Sequence, residues 1–425
     1  MWLDTAAGVT GYSILAAEPS EIVRSKGRRI EVISADGIRA IDGNPFDVLS
    51  KRLAIRRNTA MAEFPIGAAI GYFGYDLKNF VEKLPASTVD DLGLPDCWFG
   101  FYDNLLVFDH AAHQIWEVRC NGDRRRSPDR AGYEAVCAGS GDLRTTTGQM
   151  TPHSNFTRDS YRGAILRAKR YIAAGDIYQV NLSQRFQCGV KASATELYRA
   201  LRESNPAPYC AYLDIGEAQI LSTSPECFLN IRDRHVITRP IKGTRARGAT
   251  PQDDALIAAE LLASPKDNAE LVMITDLERN DLGRVCEFGS VRVSELVRVE
   301  TYATVHHLVS TVEGLLRRDV SHIDSVRACF PGGSITGAPK IRAMEIIDEL
   351  EPHARGVYTG AIGFLGYNAI THLNVAIRTV VCENGRLTFH AGGGIVSDSE
   401  PDAEYDETFA KARGIRNAIE KLRLR

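Results

Sequence analysis

The stretch TVVCENGRLTFHAGGGIV, residues 379–396, limits the architecture more than any other. Asn384-Gly385 separates two strand-like runs by two residues, and a turn of that composition joins antiparallel strands. Helical segments flank the strand-rich stretch, so the chain is expected to be α+β and layered rather than a doubly wound parallel sheet. The glycine-rich stretches also lack G-x-G-x-x-G at a strand-to-helix junction, which argues against a dinucleotide site.

Three regions follow from the pattern along the chain. Residues 1–120 read as short strands, such as AAIGYFGYD and WFGFYDNLLVFDH, punctuated by Gly, Pro and Asp. Residues 121–154 are rich in Gly, Ser, Thr and Arg without periodicity and read as a linker or surface excursion; Arg124 to Arg126 within them read as a solvated loop. From 155 to 425 helices and strands alternate, and both long regions are expected to share one sandwich. TRDSYRGAILRAKRYIAAGD spaces Tyr161, Ile165, Ala168 and Ile172 as one helix face, with Gly175 as its stop. IYQVNLSQRF alternates as a half-buried strand does.

Charge narrows the partners. The chain has 425 residues, 51 of them Lys or Arg against 54 Asp or Glu, and a net charge of -3 offers no footprint for nucleic acid or an anionic membrane. Nine cysteines are scattered with no C-x-x-C pair, which disfavours a structural zinc site or a disulfide framework. Scattered thiols, the lack of a leader pattern and the lack of a long apolar run together point to the cytoplasm.

Two helical segments carry repeated acids. In PKDNAELVMITDLERND, Asp267 and Glu270 are three apart behind Pro265. In SDSEPDAEYDETFAKARGI, Ser399 can cap, and Glu404, Glu407 and Lys411 follow at three and then four. Solvated helix faces are the plainer reading of both stripes. Leu271 and Ile274 beside Glu270, with Tyr405 and Phe409 beside Glu407, place the acids at a core edge instead, where an oxygen-only set suits magnesium. FPGGSITGAPK and HAGGGIVSD offer backbone N–H groups to an anion, although such runs are often mere turns. Arg378 stands in NVAIRTVV, read as an apolar strand, where a guanidinium is either a structural ion pair or a ligand. Lys242 in RPIKGTRARG admits three readings: a solvated charge, an anion ligand or a nucleophile.

The segments SPECF, PIKGT, DLERNDLGRV, VHHLVSTVEG, FPGGSITGAPKIRAMEIIDELE, GAIGF, IRT, AGGGIVSDSEPDAEYDET and AKA stand in the order of the motifs of the chorismate-utilising enzymes. From about 155 to 420 the chain resembles that family throughout, and GYFGYDL and GFYDNLLVFDH resemble its N-terminal region. The resemblance implies an α/β/β/α sandwich of two packed, largely antiparallel sheets that binds magnesium and chorismate. It implies direct magnesium ligation by Glu270 and Glu407, with Asp267 and Glu404 acting through water. Arg378, Tyr358, Lys411 and the N–H groups of Gly392, Gly393 and Gly394 match groups that hold the chorismate carboxylates, and Gly243 and Thr244 line the same pocket. Glu226 matches the general acid for departure of the C4 hydroxyl, and His307 stands near that leaving group.

Subfamilies differ in what attacks the ring. The PIKGT lysine, Lys242, is the feature of the aminodeoxychorismate-forming branch, whereas anthranilate-forming members usually have alanine there. Water-adding members carry a lysine at about Gln179, which this chain lacks. The resemblance therefore implies amination of chorismate at C4 through a covalent Lys242 adduct, on the route to 4-aminobenzoate and folate. Ammonia would come from a separate glutamine amidotransferase subunit in a heterodimer. The alternatives are an anthranilate synthase component and a non-catalytic protein that keeps the fold.

Overall fold

Asn384 and Gly385 take φ of +49° and +73°, and the strands on either side pair from Glu383↔Arg386 to Val380↔Phe389. The turn thus has the mirror-image geometry that matches strand twist. The computed structural model describes residues 1–4, 11–121, 123–126 and 151–423.

Around this hairpin stands one of two 12-stranded sheets, each a path of 11 strands with one more paired beside it: Gly337–Ala338 on Gln179–Gly189 in the first, Arg292–Thr301 on Val305–Leu315 in the second. The order of the first is Arg124–Arg126, Gln114–Arg119, Asn104–Asp109, Tyr12–Leu15, Trp2–Asp4, Tyr209–Asp214, Gln219–Ser224, Thr379–Glu383, Arg386–Ile395, Gln179–Gly189 and His153–Ser154. The second begins with Ile241–Ala246, Val305–Leu315, His235–Arg239, Cys227–Arg232, Ile370–Val375 and Ala361–Gly366. It ends with Ala68–Phe73, Cys97–Tyr102, Glu21–Lys26, Arg29–Ser34 and Gly37–Asp42. Both sheets mix strands from the two long regions; Trp2 pairs with Tyr212, and Phe73 with Ala361.

Three apolar layers hold the sandwich. Ile14, Val107, Leu213 and Ile220 of the first sheet face Ile70, Tyr72, Trp98 and Ile362 of the second. Helices Ala194–Ser204 and Pro401–Arg423 cover the outside of the first sheet through Leu197, Leu201, Ile415 and Ile419. Helices Pro45–Ile55, Pro265–Gly283 and His322–Cys329 cover the second through Leu49, Leu282 and Val326. Each fully buried leucine or phenylalanine contributes about 1.5–3 kcal/mol by leaving water. The result is an α+β, α/β/β/α sandwich. No described helix is long and apolar enough to cross a membrane.

Several local expectations need correction. Arg124–Arg126 is an edge strand paired with Gln114–Arg119, because chain returning alongside an open edge satisfies its backbone groups there. Most of 121–154 lies outside the described residues. Gln179–Gly189 is buried on both faces rather than one: Ser183 bonds to Glu351 and Arg185 pairs with Asp91, so its polar side chains find protein partners where water was expected. The helix Arg158–Ala173 has the expected face, with Gly175 at φ +82° just beyond it. Ser399 donates to Glu404 at 2.7 Å, and the first helical carbonyl is that of Glu400.

Candidate active site

The chain changes sheet twice at one place. Pro225 and Glu226 link Gln219–Ser224 of the first sheet to Cys227–Arg232 of the second, and residues 376–378 link Ile370–Val375 back to Thr379–Glu383. The crossings run side by side, since Ser222 pairs with Thr379 and Cys227 with Asn374. Val375 N–H donates to the Glu226 carbonyl at 3.0 Å, and Ser224 Oγ donates to the Val375 carbonyl at 2.6 Å. Glu226 and Arg378 are thereby fixed as neighbours in the opening between sheets. Arg378 is therefore not a strand residue: it sits in a bend at φ +49°, because the chain must turn to change sheets. Its guanidinium donates to Asn205 Oδ1 at 3.0 Å, and burial pushes its pKa down to about 10 against the pull of Glu226.

Lys242 reaches the same opening by a different device. Ile241 pairs with Val309, Lys242 with Leu308 and Thr244 with His307, so Gly243 is an extra residue in the ladder. Gly243 has φ +67°, the backbone a bulge of this kind requires of glycine. A Cβ there would stand 3.0 Å from Leu261 and 3.1 Å from Asp267. Half-buried Lys242 donates to the Ser334 carbonyl at 3.1 Å. Burial holds its pKa below the ordinary lysine value; Glu270 and Glu226 oppose that, and Lys411 adds to it. Burial raises Glu226 above the carboxylate range although Ser334, by a hydrogen bond, and Lys242 resist. A lysine eased toward the amine therefore faces a carboxyl eased toward the acid.

His307 lies behind this pair. Its Nδ1 is 2.8 Å from Thr244 Oγ1, and burial, then Arg378, push its pKa down to about 3. The neutral ring keeps a buried Nε2 with no partner, the kind of atom a substrate oxygen can satisfy.

The C-terminal acidic helix packs on the glycine run, and Glu270 of the other acidic helix lies near enough to Glu407 for their charges to interact. A Cβ on Gly393 would meet Glu404 at 3.3 Å and both Glu407 and Lys411 at 3.5 Å. Gly392 and Gly394 face the opposite way, against Ser183 and Gln179. Lys411 donates to the Gly392 carbonyl at 2.9 Å and to Glu407 at 2.7 Å. Burial raises Glu270, and Asp267 and Glu407 add to that rise against Lys242 and Lys266. Burial also raises Glu404. Burial pushes Glu407 up as well, but Lys411, Lys266 and Lys242 together outweigh it and keep the carboxyl below its ordinary value.

These carboxylates repel one another and offer oxygen donors alone, a set that fits a hard cation such as magnesium. As they stand, Asp267 is paired with Arg245 at 2.8 Å, Glu404 accepts from Ser399, and Glu407 is held by Lys411. Among the described residues no three acids, histidines or cysteines are close enough together to hold a metal unaided.

The Tyr358 ring stacks on His390 with ring centres 4.8 Å apart, and Arg355 lies 5.6 Å from its ring centre. Sequence reasoning missed Ser334, whose carbonyl and hydroxyl serve Lys242 and Glu226. It treated Gln179 only as a missing lysine; the side chain is buried against Gly394 with neither amide atom partnered. The glycine loop does approach a carboxyl group, since Gly333 N–H donates to Glu278 at 2.9 Å, but that group is the protein's own. A cavity of about 710 Å³ lined by Tyr12, Tyr209, Arg239, Tyr302 and His372 holds none of the candidate residues.

Comparison with known proteins adds a family. The chorismate binding enzyme model matches residues 2–417. Aminodeoxychorismate synthase component 1 of Bacillus subtilis (strain 168) is 40% identical over 420 residues, covering 96% of this chain and 89% of that protein. Anthranilate synthase component 1 of Thermus thermophilus is 42% identical over 396 residues, covering 92% and 85%. The crystal structure of anthranilate synthase component I from Streptococcus pneumoniae TIGR4 superposes with a TM-score of 0.82 at 33% identity, covering 96% of this chain and 92% of that one.

Proposed function

Because the chain belongs to the chorismate binding enzymes, we propose that it aminates chorismate at C4 to give 4-amino-4-deoxychorismate, the reaction that the name of the Bacillus subtilis relative describes. Half-buried Lys242, anchored on Ser334 and facing Glu226, is the observation that carries this reading.

The neutral amine of Lys242 attacks C2, the ring double bonds shift, and the C4 hydroxyl leaves as water with a proton from Glu226. Ammonia then attacks C4 and the double bonds shift back. The C2–N bond breaks to return the lysine as a neutral amine, and the proton the new C4 amine sheds goes back to Glu226, restoring both groups. Chorismate and ammonia thus become aminodeoxychorismate and water. Arg378 and the glycine run hold carboxylates, while the buried Nε2 of His307 is available to the departing oxygen. Glu270 and Glu407 would hold magnesium directly, with Asp267 and Glu404 behind them. The ion, when bound, supplies charge to anchor the ring carboxylate. Ammonia is expected from a glutamine amidotransferase partner; the component 1 names of the relatives support a second component.

Anthranilate formation is the second reading, favoured by a Thermus thermophilus relative of equal similarity and opposed by Lys242. Incubating the chain with chorismate, magnesium and ammonium salt and identifying the product separates them. Aminodeoxychorismate supports the proposal; anthranilate with pyruvate replaces it.

A further inference from the structure

We propose that Arg355 is a positioning residue for chorismate turnover, one that locks the walls of the pocket together from behind. Its guanidinium has five N–H donors, and each has a partner. Nε and one terminal nitrogen donate to Glu351 at 2.9 and 2.7 Å; the others reach the Ile335 carbonyl at 3.1 Å, Thr359 Oγ1 at 3.2 Å and the Asn181 carbonyl at 2.8 Å. Glu351 in turn accepts from the N–H and hydroxyl of Ser183 at 2.8 and 2.9 Å.

The partners lie on three segments beside the proposed pocket: the strand Gln179–Gly189, the loop after Ser334 and the turn after Tyr358. Asn181 and Ser183 pair across the sheet with Gly394 and Gly392. Ile335 follows Ser334, whose carbonyl receives the Lys242 amine. Thr359 follows Tyr358, whose ring lies beside the guanidinium. A planar fork with all donors used fixes direction as well as distance, which an ammonium on a flexible stem does not.

The N-terminal region completes the arrangement and gives a use to its GYFGYDL motif. The Tyr75 ring lies 4.8 Å from the Arg355 guanidinium, opposite in chain origin to Tyr358. Tyr75 N–H donates to the Gly356 carbonyl at 2.7 Å, and Asp76 accepts from Gly356 N–H at 3.1 Å. The turn carrying Arg355 is thus braced by residues that touch no candidate site group.

This proposal rests on the reading of the site as a chorismate pocket. Its test is Arg355→Lys in the full chain, measuring chorismate consumption with magnesium and ammonium well below the melting temperature. We expect kcat/KM to fall by about tenfold to 100-fold, because misplacement of groups by an ångström is enough. Leu49→Ala, in the helix layer over the other sheet, is the control: its Tm falls while kcat and KM stay at wild-type values. If Arg355→Lys does not fold, Ser183→Ala removes one bond to Glu351 without touching charge and should give a smaller loss of the same kind. Wild-type kcat and KM in the substituted protein, or an equal loss in Leu49→Ala, would overturn the proposal. Product identity is read in the same assay, so a product other than aminodeoxychorismate rejects the proposed function while consumption still decides Arg355. Calorimetry of chorismate binding makes the same comparison if no turnover is seen.

Discussion

The Lys242 amine donates to the Ser334 carbonyl at 3.1 Å, so the proposed nucleophile is anchored on the glycine-rich loop and not by a carboxylate. A neutral acceptor holds the nitrogen without stabilising its charge as strongly as an ion pair would. Burial can then ease it toward the reactive amine. Lys242→Ala should abolish C4 amination and leave ammonia free to attack C2. Chromatography of the products checks this, and unchanged aminodeoxychorismate formation would remove the nucleophile role.

Burial raises the Glu226 pKa, which favours the protonated form that departure of the hydroxyl requires. Glu226→Gln should lower kcat by about 100-fold to 10,000-fold, the usual contribution of a positioned acid. Steady-state kinetics with the C4 product as readout tests it.

The PIKGT bulge needs a left-handed residue. Gly243→Ala should destabilise the chain by about 1–2 kcal/mol through backbone strain. It should also lower turnover, because the new Cβ meets Leu261 and Asp267. Denaturant unfolding and chorismate kinetics on one preparation show both effects.

Magnesium dependence distinguishes the acids. Glu270→Gln and Glu407→Gln should abolish activity at any practical magnesium concentration. Asp267→Asn and Glu404→Gln should raise the requirement by about 10-fold to 100-fold, as supporting residues do. Magnesium titrations of the four variants make the comparison, and full activity at limiting magnesium in either of the first two would contradict the assignment.

His307 carries a pH signature. Burial pushes its folded pKa from 6.5 to about 3, so the unfolded state binds the extra proton between those values. A lowered pKa contributes stability that is present above 6.5 and lost as pH falls toward 3. His307→Gln should flatten the acid limb of a stability profile by up to about one proton. An unchanged slope in denaturant unfolding across that range would show that His307 titrates normally.

Legibility in the sequence tracked locality. Asn384-Gly385 and the Arg158–Ala173 helix were readable because backbone conformation and a local apolar face determine them. The sheet order was not, since pairs such as Trp2 with Tyr212 join residues far apart in the chain. Arg378 looked like a strand residue because an apolar run does not reveal that the chain changes sheet within it. Gln179–Gly189 looked half-exposed because its polar partners Glu351 and Asp91 come from distant segments. Lys242 stood out only through its motif, and the role of Ser334 needed the loop to be seen beneath it.

The central claim is a covalent bond between Lys242 and the substrate ring. Intact-mass and peptide mass spectrometry of the protein with chorismate and magnesium, without ammonia, tests it directly. The account predicts an adduct of chorismate less water on the peptide containing Lys242, discharged as aminodeoxychorismate when ammonium is added. Formation of that product with no adduct, or an adduct that persists in Lys242→Ala, would contradict it.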